Sequence, residues 1–203
     1  MSDRIPDRID RIEENLREII RFIGDDPDRA GLLDTPKRMI RSWEHLFSGY
    51  NEDPVACIKS FDFDRYDEMV LLRDCELYSV CEHHFLPFWG KAHVAYIPSK
   101  GGGVVGVSKL ARLVEVFSRR LQLQERICEQ VASCLMDNLK CVGAACIIEA
   151  THLCMRMRGV EKQNSIVVTS SLKGAFLVKN SQGIAARQEL LTLVFGGRSR
   201  GGY

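Results

Sequence analysis

Two short runs of cysteine and histidine, far apart in the chain, constrain this sequence most strongly. The first run is Cys81-Glu82-His83-His84, and the second is His152-Leu153-Cys154. Two thiolates and one imidazole are ligands that zinc prefers, and three such ligands leave a fourth tetrahedral position for water. If both runs bind one ion, the fold has to bring them together, so the sequence predicts a sheet whose strands carry the two runs to one metal centre.

The spacing within each run restricts the local backbone. Residues three apart on a strand face opposite sides, so Cys81 and His84 can share an ion only if a turn follows the strand. His152 and Cys154 are two apart, and a strand that continues through both would place them on one face. An open site would then leave two histidines, His83 and His152, for proton transfer. A closed structural site would instead take one of those two histidines as its fourth ligand.

Length and charge exclude several classes of protein. With 203 residues, the chain suffices for one compact domain and a modest extension. Charged residues make up 27%, but the formal net charge is +1, which gives no bulk attraction to nucleic acid or to a membrane. The N-terminus is too charged for a signal peptide, and no apolar run approaches membrane-spanning length. We therefore predict a cytoplasmic protein with reduced cysteines.

Hydrophobic periodicity predicts an α+β protein with a helical region, residues 1–60, and a second domain, residues 61–203, whose glycine-rich tail from about residue 196 is mobile. In the first region, one amphipathic helix ends near Gly24, and another starts at Asp34-Thr35-Pro36. In the second region, strand patterns lie at 70–80, 91–97, 104–107, 144–154 and 164–171, and helices start at Ser108 and near Gln124. This order favours a largely antiparallel sheet.

Charged residues at the two helix starts suggest a ligand. Ser108 as a helix cap, with Lys109 and Arg112 in the first turn, offers the free N–H groups and the cations that bind phosphate. The alternative is an ordinary capped surface helix with solvated charges. Glu125 also has two interpretations, as a carboxylate favoured by the helix dipole or as one that accepts hydrogen bonds from a purine edge. The residues alone do not choose between these alternatives.

Taken in order along the chain, these stretches resemble the GTP cyclohydrolase I family. The resemblance covers roughly residues 30 to 192, and six spaced motifs carry it. They are Asp34-Thr35-Pro36-Lys37-Arg38, Ser79-Val80-Cys81-Glu82-His83-His84-Phe85, Gly90-Lys91-Ala92-His93-Val94-Ala95-Tyr96-Ile97-Pro98, Val105-Gly106-Val107-Ser108-Lys109-Leu110, Gln124-Glu125-Arg126 and Glu149-Ala150-Thr151-His152-Leu153-Cys154. The family implies a tunnelling fold, in which each subunit pairs an antiparallel four-stranded sheet with two helices (ββααββ) and sheets from several subunits close into a barrel.

The resemblance also implies an activity, which is the zinc-dependent conversion of GTP and water to 7,8-dihydroneopterin triphosphate and formate. One Zn²⁺ per subunit would be held by Cys81, His84 and Cys154, and would activate water for attack at C8 of the purine. The implied assembly is a homo-oligomer, a decamer of two pentamers with active sites between subunits. The resemblance implies no nucleic-acid or membrane partner.

The resemblance assigns roles to the remaining candidate residues. His152 would protonate N7 of the purine, and His83 would act as a second proton carrier. Ser108 would lie near the ribose, while Glu125, with Gln124 beside it, would bind the guanine edge. The cations implied for the triphosphate are Lys109, Arg112, Arg158 and Arg38, of which Arg38 would reach the site of a neighbouring subunit.

Two rival hypotheses compete with this assignment. One is a catalytically silent oligomeric binding protein with a structural zinc on the same fold. The other is a related tunnelling-fold enzyme that acts on another pterin or on a deazapurine. The presence of both uncoordinated histidines and of Glu125 favours the enzyme over the silent protein, and the Cys-Glu-His-His and His-x-Cys runs favour GTP as the substrate.

Overall fold

A computed structural model describes residues 5–61 and 66–196 of the chain. The chain folds as two compact units, the first ending at Ser48 and the second beginning at Gly49. The division predicted after residue 60 stays a prediction, and nearly all of the tail predicted to be mobile lies outside the described residues. Within those residues, no helix combines the length and the hydropathy that a bilayer crossing requires.

The first unit contains the two predicted helices, α1 (Ile5–Phe22) and α2 (Thr35–Leu46). They pack against each other, and Leu16 and Ile20, one turn apart on α1, are buried. Pro36 lies in the first turn of α2, where its missing N–H costs no intrahelical hydrogen bond. Both helices are therefore confirmed, with ends within a few residues of the predicted ones.

The second unit is an α+β domain built on one main sheet. Its elements are β1 (Ser60–Phe61), β2 (Val70–Cys81), β3 (Pro87–Pro98), β4 (Val104–Val105), α3 (Val107–Ser118), β5 (Leu121–Gln122), α4 (Gln124–Asn138), β6 (Cys141–His152), α5 (Leu153–Arg156), β7 (Val167–Gly174) and α6 (Ser181–Phe195). The sheet has the order β5-β2-β3-β6-β7, in which β2, β3, β6 and β7 are antiparallel and the short β5 joins β2 in parallel. The predicted four-stranded antiparallel sheet is confirmed.

Helices α3 and α4 cover one face of this sheet. Alternate residues of β3, such as Val94 and Tyr96, point into the same core as Leu113 of α3 and Ile127 of α4, and all four are at most 1% exposed. Burying such a side chain contributes about 1.5–3 kcal/mol. The Tyr96 hydroxyl is satisfied inside the core because it accepts a hydrogen bond from the Val105 N–H at 2.8 Å. This packing fixes the strand ends that carry the candidate site.

Helix α6 covers part of the other face and was not predicted. Its residues Leu190 and Val194 are buried against Ala95 and Ile147 of the sheet. The helix begins with a side-chain cap, in which Asn180 accepts a hydrogen bond from the Gly183 N–H at 2.8 Å. Periodicity gave no signal for α6 because its other faces also carry exposed apolar residues, so that no single apolar stripe stands out.

One contact between α4 and β7 leads to a pH-dependent stability. The Glu129 carboxylate pairs with Lys173 and accepts a hydrogen bond from the Ser171 hydroxyl at 2.7 Å, and these contacts lower the pKa of Glu129 below its ordinary value. A lowered folded-state pKa stabilises the fold above the unfolded value, about 4.3, and that stability is lost as the pH falls through the folded value.

We therefore expect Glu129→Gln to destabilise the protein at pH 7 by about 0.5–1 kcal/mol, a small value because the ion pair is partly exposed. Thermal unfolding should show the difference from wild type narrowing below about pH 4. Glu115→Gln, which removes the partly exposed pair between Glu115 on α3 and Arg119 just after that helix, is the matched control. A difference that stays constant from pH 7 to pH 3 would contradict this account.

Candidate metal centre and active site

The first cysteine and histidine run, residues 81–84, lies in a turn at the end of β2, as the spacing predicted. Strand β2 ends at Cys81, whose N–H donates to the Leu86 carbonyl at 2.9 Å and whose carbonyl accepts from the Phe85 N–H at 3.0 Å. Phe85 adopts φ of 56°, which lets the chain reverse directly into β3. This tight reversal brings the His84 side chain back beside the Cys81 thiol.

The second run differs from its prediction. Strand β6 ends at His152, and Cys154 lies in the helical turn α5. The predicted strand through residue 154 is therefore wrong. His152 pairs with Phe88, and β3 begins only one residue earlier, at Pro87. Since β3 goes no further, α5 has no partner strand beside it. Although the strand stops, the helical turn still directs Cys154 towards the other two ligands.

The three predicted ligands come together. The sulfur atoms of Cys81 and Cys154 and a ring nitrogen of His84 all lie within 4.8 Å of one another. Two sulfurs and one imidazole are a donor set suited to zinc. In the described residues, neither His83 nor His152 belongs to this group, which favours a three-ligand open site over a closed four-ligand one.

The electrostatics of the two thiols also fit a cation. Burial raises the pKa of the Cys154 thiol, and the neighbouring Cys81 acts in the same direction, while the Arg158 guanidinium acts in the opposite one. Two thiolates at this distance repel each other unless positive charge lies between them. A divalent cation would offset that repulsion, so the residues present fit the predicted metal.

His152 is held by a hydrogen bond that fixes its tautomer. Its ring stacks on Phe88, with centroids 4.5 Å apart, and its Nε2 lies 2.8 Å from Oε1 of Gln124. The Gln124 amide nitrogen donates to the carbonyls of Ile148 and Val167, both at 2.9 Å, so its oxygen has to accept. His152 therefore carries a hydrogen on Nε2, and Nδ1 is the nitrogen of the neutral ring that accepts a proton.

The environment of His152 also sets its acidity. Burial lowers the pKa of His152, and the nearby Glu125 carboxylate partly offsets this effect. A lowered pKa makes the protonated imidazole a stronger acid towards a weakly basic acceptor such as a ring nitrogen. The ring is thus held in one orientation with a lowered pKa, and its role in proton transfer stays a prediction.

Gln124, which was predicted to bind the guanine edge, contacts His152 in the structure. Its side chain is buried, 1% exposed, and every polar atom of its amide is occupied by His152 or by a backbone carbonyl. Its contact with a guanine edge stays a prediction. Glu125, the next residue, is exposed on the first turn of α4, and its carboxylate has no ion-pair partner in the described parts of the chain.

Two further predicted residues lie at the metal ligands. The exposed ring of His83 meets that of His84 edge to face, with centroids 6.2 Å apart and an interplanar angle of 82°. The Arg158 guanidinium donates from Nη1 to Nε2 of His84 at 3.2 Å. A cation predicted for the triphosphate therefore lies beside the candidate metal ligands.

The other residues predicted to bind the ribose and the triphosphate lie on helices. Ser108, Lys109 and Arg112 lie in the first two turns of α3, and no hydrogen bond or ion pair links them to the three metal ligands within residues 66–196. The prediction of Ser108 as the helix cap is wrong. Because β4 ends after two residues, the chain turns at Gly106, which caps α3 instead.

Arg38 belongs to the first unit, on α2, where its guanidinium pairs with Asp34 at 3.3 Å. This is an exposed pair one helical turn apart, of a kind that contributes little to stability. Its predicted place in the site of a neighbouring subunit stays a prediction.

Sequence reasoning assigned no role to one contact next to the metal ligands. The guanidinium of Arg126, on α4, makes two hydrogen bonds to the carboxylate of Glu82, one of them 3.0 Å long between Nη2 and Oε1. Glu82 lies in the Cys-Glu-His-His motif and Arg126 in the Gln-Glu-Arg motif. Their opposite charges were the available signal, but nothing in the sequence placed those motifs side by side.

The fold and the site together define an α+β protein with a three-ligand cluster beside an oriented histidine, an arrangement typical of metallohydrolases. Residues 12–194 match the GTP cyclohydrolase I family. The chain therefore belongs to the GTP cyclohydrolase I family of enzymes, and its sheet with two covering helices is the tunnelling fold of that family.

Individual relatives agree with this assignment. GTP cyclohydrolase 1 of Wolinella succinogenes is 55% identical over 166 residues, which cover 81% of this chain and 88% of that protein. The same enzyme of Chlorobium chlorochromatii is 51% identical and covers 91% of this chain and 81% of its own length. That of Carboxydothermus hydrogenoformans is 49% identical and covers 91% and 94%.

Proposed function

We propose that this protein is a zinc-dependent GTP cyclohydrolase that converts GTP and water to 7,8-dihydroneopterin triphosphate and formate. The observation that carries the proposal is the Cys81, His84 and Cys154 cluster, with the oriented His152 two residues from one of its ligands. Membership of the family supplies the identity of the substrate. A cytoplasmic location, without nucleic-acid or membrane partners, belongs to the same proposal.

Cys81, His84 and Cys154 would hold one zinc ion per subunit. Bound there, zinc would supply a Lewis acid that makes water nucleophilic near neutral pH. The ligands lie at or just after the ends of two strands, β2 and β6, that both pair with β3. The sheet therefore organises the site before any ligand binds, which reduces the reorganisation that catalysis would require.

The proton transfers would fall to the two histidines outside the cluster. We assign His152 to protonate N7 of the purine while C8 is attacked, because its ring is oriented and its pKa is lowered. We assign a second proton transfer, during ring opening, to His83, because its exposed imidazole lies beside the ligand His84. Glu125 would accept hydrogen bonds from the N–H groups of the guanine edge, and Gln124 beside it supports His152.

The triphosphate needs cations that are not already neutralised. Within the described residues, Lys109 and Arg112 have no carboxylate partner. Arg158 contacts the imidazole of His84, which is not a carboxylate and does not neutralise its charge. These three residues would bind the phosphates, with Arg38 contributed by a neighbouring subunit. Ser108 would contact the ribose, since it lies in the same helical turn as Lys109.

We also propose a homo-oligomer, a decamer of two pentamers with active sites between subunits. In the described residues, no strand pairs with the outer edge of β7, and the edge of β2 that faces away from β3 is unpaired along residues 70–79. Unpaired edges of this length bind other strands. The β2 edge of one copy and the β7 edge of the next would close a multi-subunit barrel.

The test is GTP turnover by the purified protein, followed as formate and as the near-ultraviolet absorption of the pterin. We expect turnover that disappears when metal is stripped and returns with Zn²⁺. Protein that is fully loaded with zinc, binds GTP and releases neither product would refute the enzyme and support the silent binding protein. Turnover of a deazapurine or pterin, without turnover of GTP, would favour the related enzyme instead.

A further inference from the structure

The turn that carries two metal-site histidines is attached to α4 through the residue before them. Glu82 directly follows the ligand Cys81, and its carboxylate receives both terminal nitrogens of the Arg126 guanidinium. A bidentate contact of this kind fixes orientation as well as distance, which a single hydrogen bond does not. Glu82 is therefore held more firmly than an ordinary surface carboxylate.

The backbone of the same residue provides a second attachment. The Glu82 N–H donates to the Gln122 carbonyl at 3.1 Å, where β5 pairs with the end of β2. The Gln122 side chain is itself buried and donates to the Phe117 carbonyl and to Oε1 of Gln130, both at 2.8 Å. Glu82 thus joins the turn to β5 and, through the Gln122 side chain, to helices α3 and α4.

The rest of the turn has little support from packing. His83, His84 and Phe85 are all exposed, so few apolar contacts restrict their positions. Local segments of this kind fluctuate unless hydrogen bonds hold them. The contact between Glu82 and Arg126 is therefore well placed to decide how precisely the turn presents His84 to the two thiols.

The partner of Glu82 lies in the first turn of α4 beside two residues of the proposed active site. Gln124 holds His152, Glu125 is the proposed guanine ligand, and Arg126 holds the metal turn. One helical turn therefore contacts, or is proposed to contact, the metal-binding segment, the proton donor and the substrate.

We infer that Arg126 is a positioning residue, which acts through Glu82 to fix the metal-binding turn relative to the first turn of α4. It keeps His83 and His84 at a constant distance from Glu125, so that the metal ligands and the guanine-binding carboxylate act on one bound substrate. The part of this inference that concerns substrate rests on the proposed function, and the part that concerns metal affinity does not.

The test compares Arg126→Ala with wild type. The affinity of stripped protein for Zn²⁺, measured by competition with a chromophoric chelator, should fall about 10-fold, since residues that orient metal ligands typically contribute 10–100-fold. The kcat for GTP should fall by a similar factor or more, with a smaller change in KM, because both terminal nitrogens of Arg126 are directed at Glu82 and the inference gives them no substrate contact.

Two further variants separate positioning from general stability. Arg126→Lys keeps the charge but loses the bidentate contact, so its zinc affinity and kcat should lie between those of wild type and of Arg126→Ala. The exchange Glu82→Arg with Arg126→Glu should recover part of the zinc affinity that either single substitution loses. Arg119→Ala, which removes the exposed pair with Glu115 on α3, is the control and should leave zinc affinity unchanged.

Unchanged zinc affinity and kcat in Arg126→Ala would overturn the inference. So would a loss that follows the melting temperature in every variant, without recovery in the exchanged pair, because that pattern marks a purely structural contact. If wild type binds Zn²⁺ but does not turn over GTP, the proposed function fails, and the zinc titrations alone decide the role of Arg126.

Discussion

Replacing Cys154 with alanine is expected to remove stoichiometric zinc and to lower GTP turnover by about 10³-fold or more. The thiol is one of three donors within 4.8 Å, and the two that remain would not hold the ion firmly. A Lewis-acid metal ion in such a site typically contributes several kcal/mol of transition-state stabilisation, and each 1.36 kcal/mol is a factor of ten in rate.

The natural control for this substitution is Cys141→Ala. Cys141 is the first residue of β6, at the opposite end of that strand from His152 and the candidate metal ligands. It is half-buried, and its sulfur contacts the Leu135 carbonyl. Zinc content, measured by elemental analysis, and turnover should both be retained in this variant. If Cys154→Ala kept its zinc and its activity, the cluster would not be the metal centre.

Replacing His152 with alanine is expected to lower kcat for GTP by about 10²–10⁴-fold, the range for loss of a general acid or base. Zinc should be retained, because the ring nitrogen is bonded to Gln124 and lies outside the cluster. Loss of activity with intact metal would separate proton transfer from metal binding. The measurements are steady-state kinetics with GTP and zinc content on the same preparation.

His45→Ala, at an exposed position on α2, is the control for a general effect of losing an imidazole. The His152 variant also leaves the buried Gln124 side-chain oxygen without its donor, so thermal unfolding has to accompany the kinetics. A His152→Ala protein that unfolds normally, keeps zinc and turns over GTP like wild type would remove His152 from the mechanism.

Much of the site could be predicted because strand geometry excludes alternatives. The spacing of Cys81 and His84 is incompatible with a strand, so a turn had to follow β2, and the structure has one. The same reasoning failed for Cys154, because strand periodicity alone does not show where the neighbouring strand ends. Here β3 begins at Pro87 and leaves α5 without a partner.

The contacts that orient the site were less accessible to sequence reasoning. The amide of Gln124 reaches His152 and a carbonyl of β7, and these meet only when α4 packs on the sheet. Helix α6 was missed for a different reason, since apolar residues lie on more than one of its faces. Local patterns predicted the two N-terminal helices, the main strands and the two covering helices, whereas the partners of polar side chains depended on tertiary packing.

The first turn of α4 has a consequence for how such a chain tolerates insertion and deletion. Successive residues of a helix point about 100° apart, so Gln124, Glu125 and Arg126 face three directions at once. Removing Leu123, or adding one residue beside it, would rotate Gln124 and Arg126 away from their partners together, and would move Glu125 from its proposed place at the guanine edge. The connection between β5 and α4 is therefore fixed in length, because substitutions can alter these positions separately while changes in length cannot.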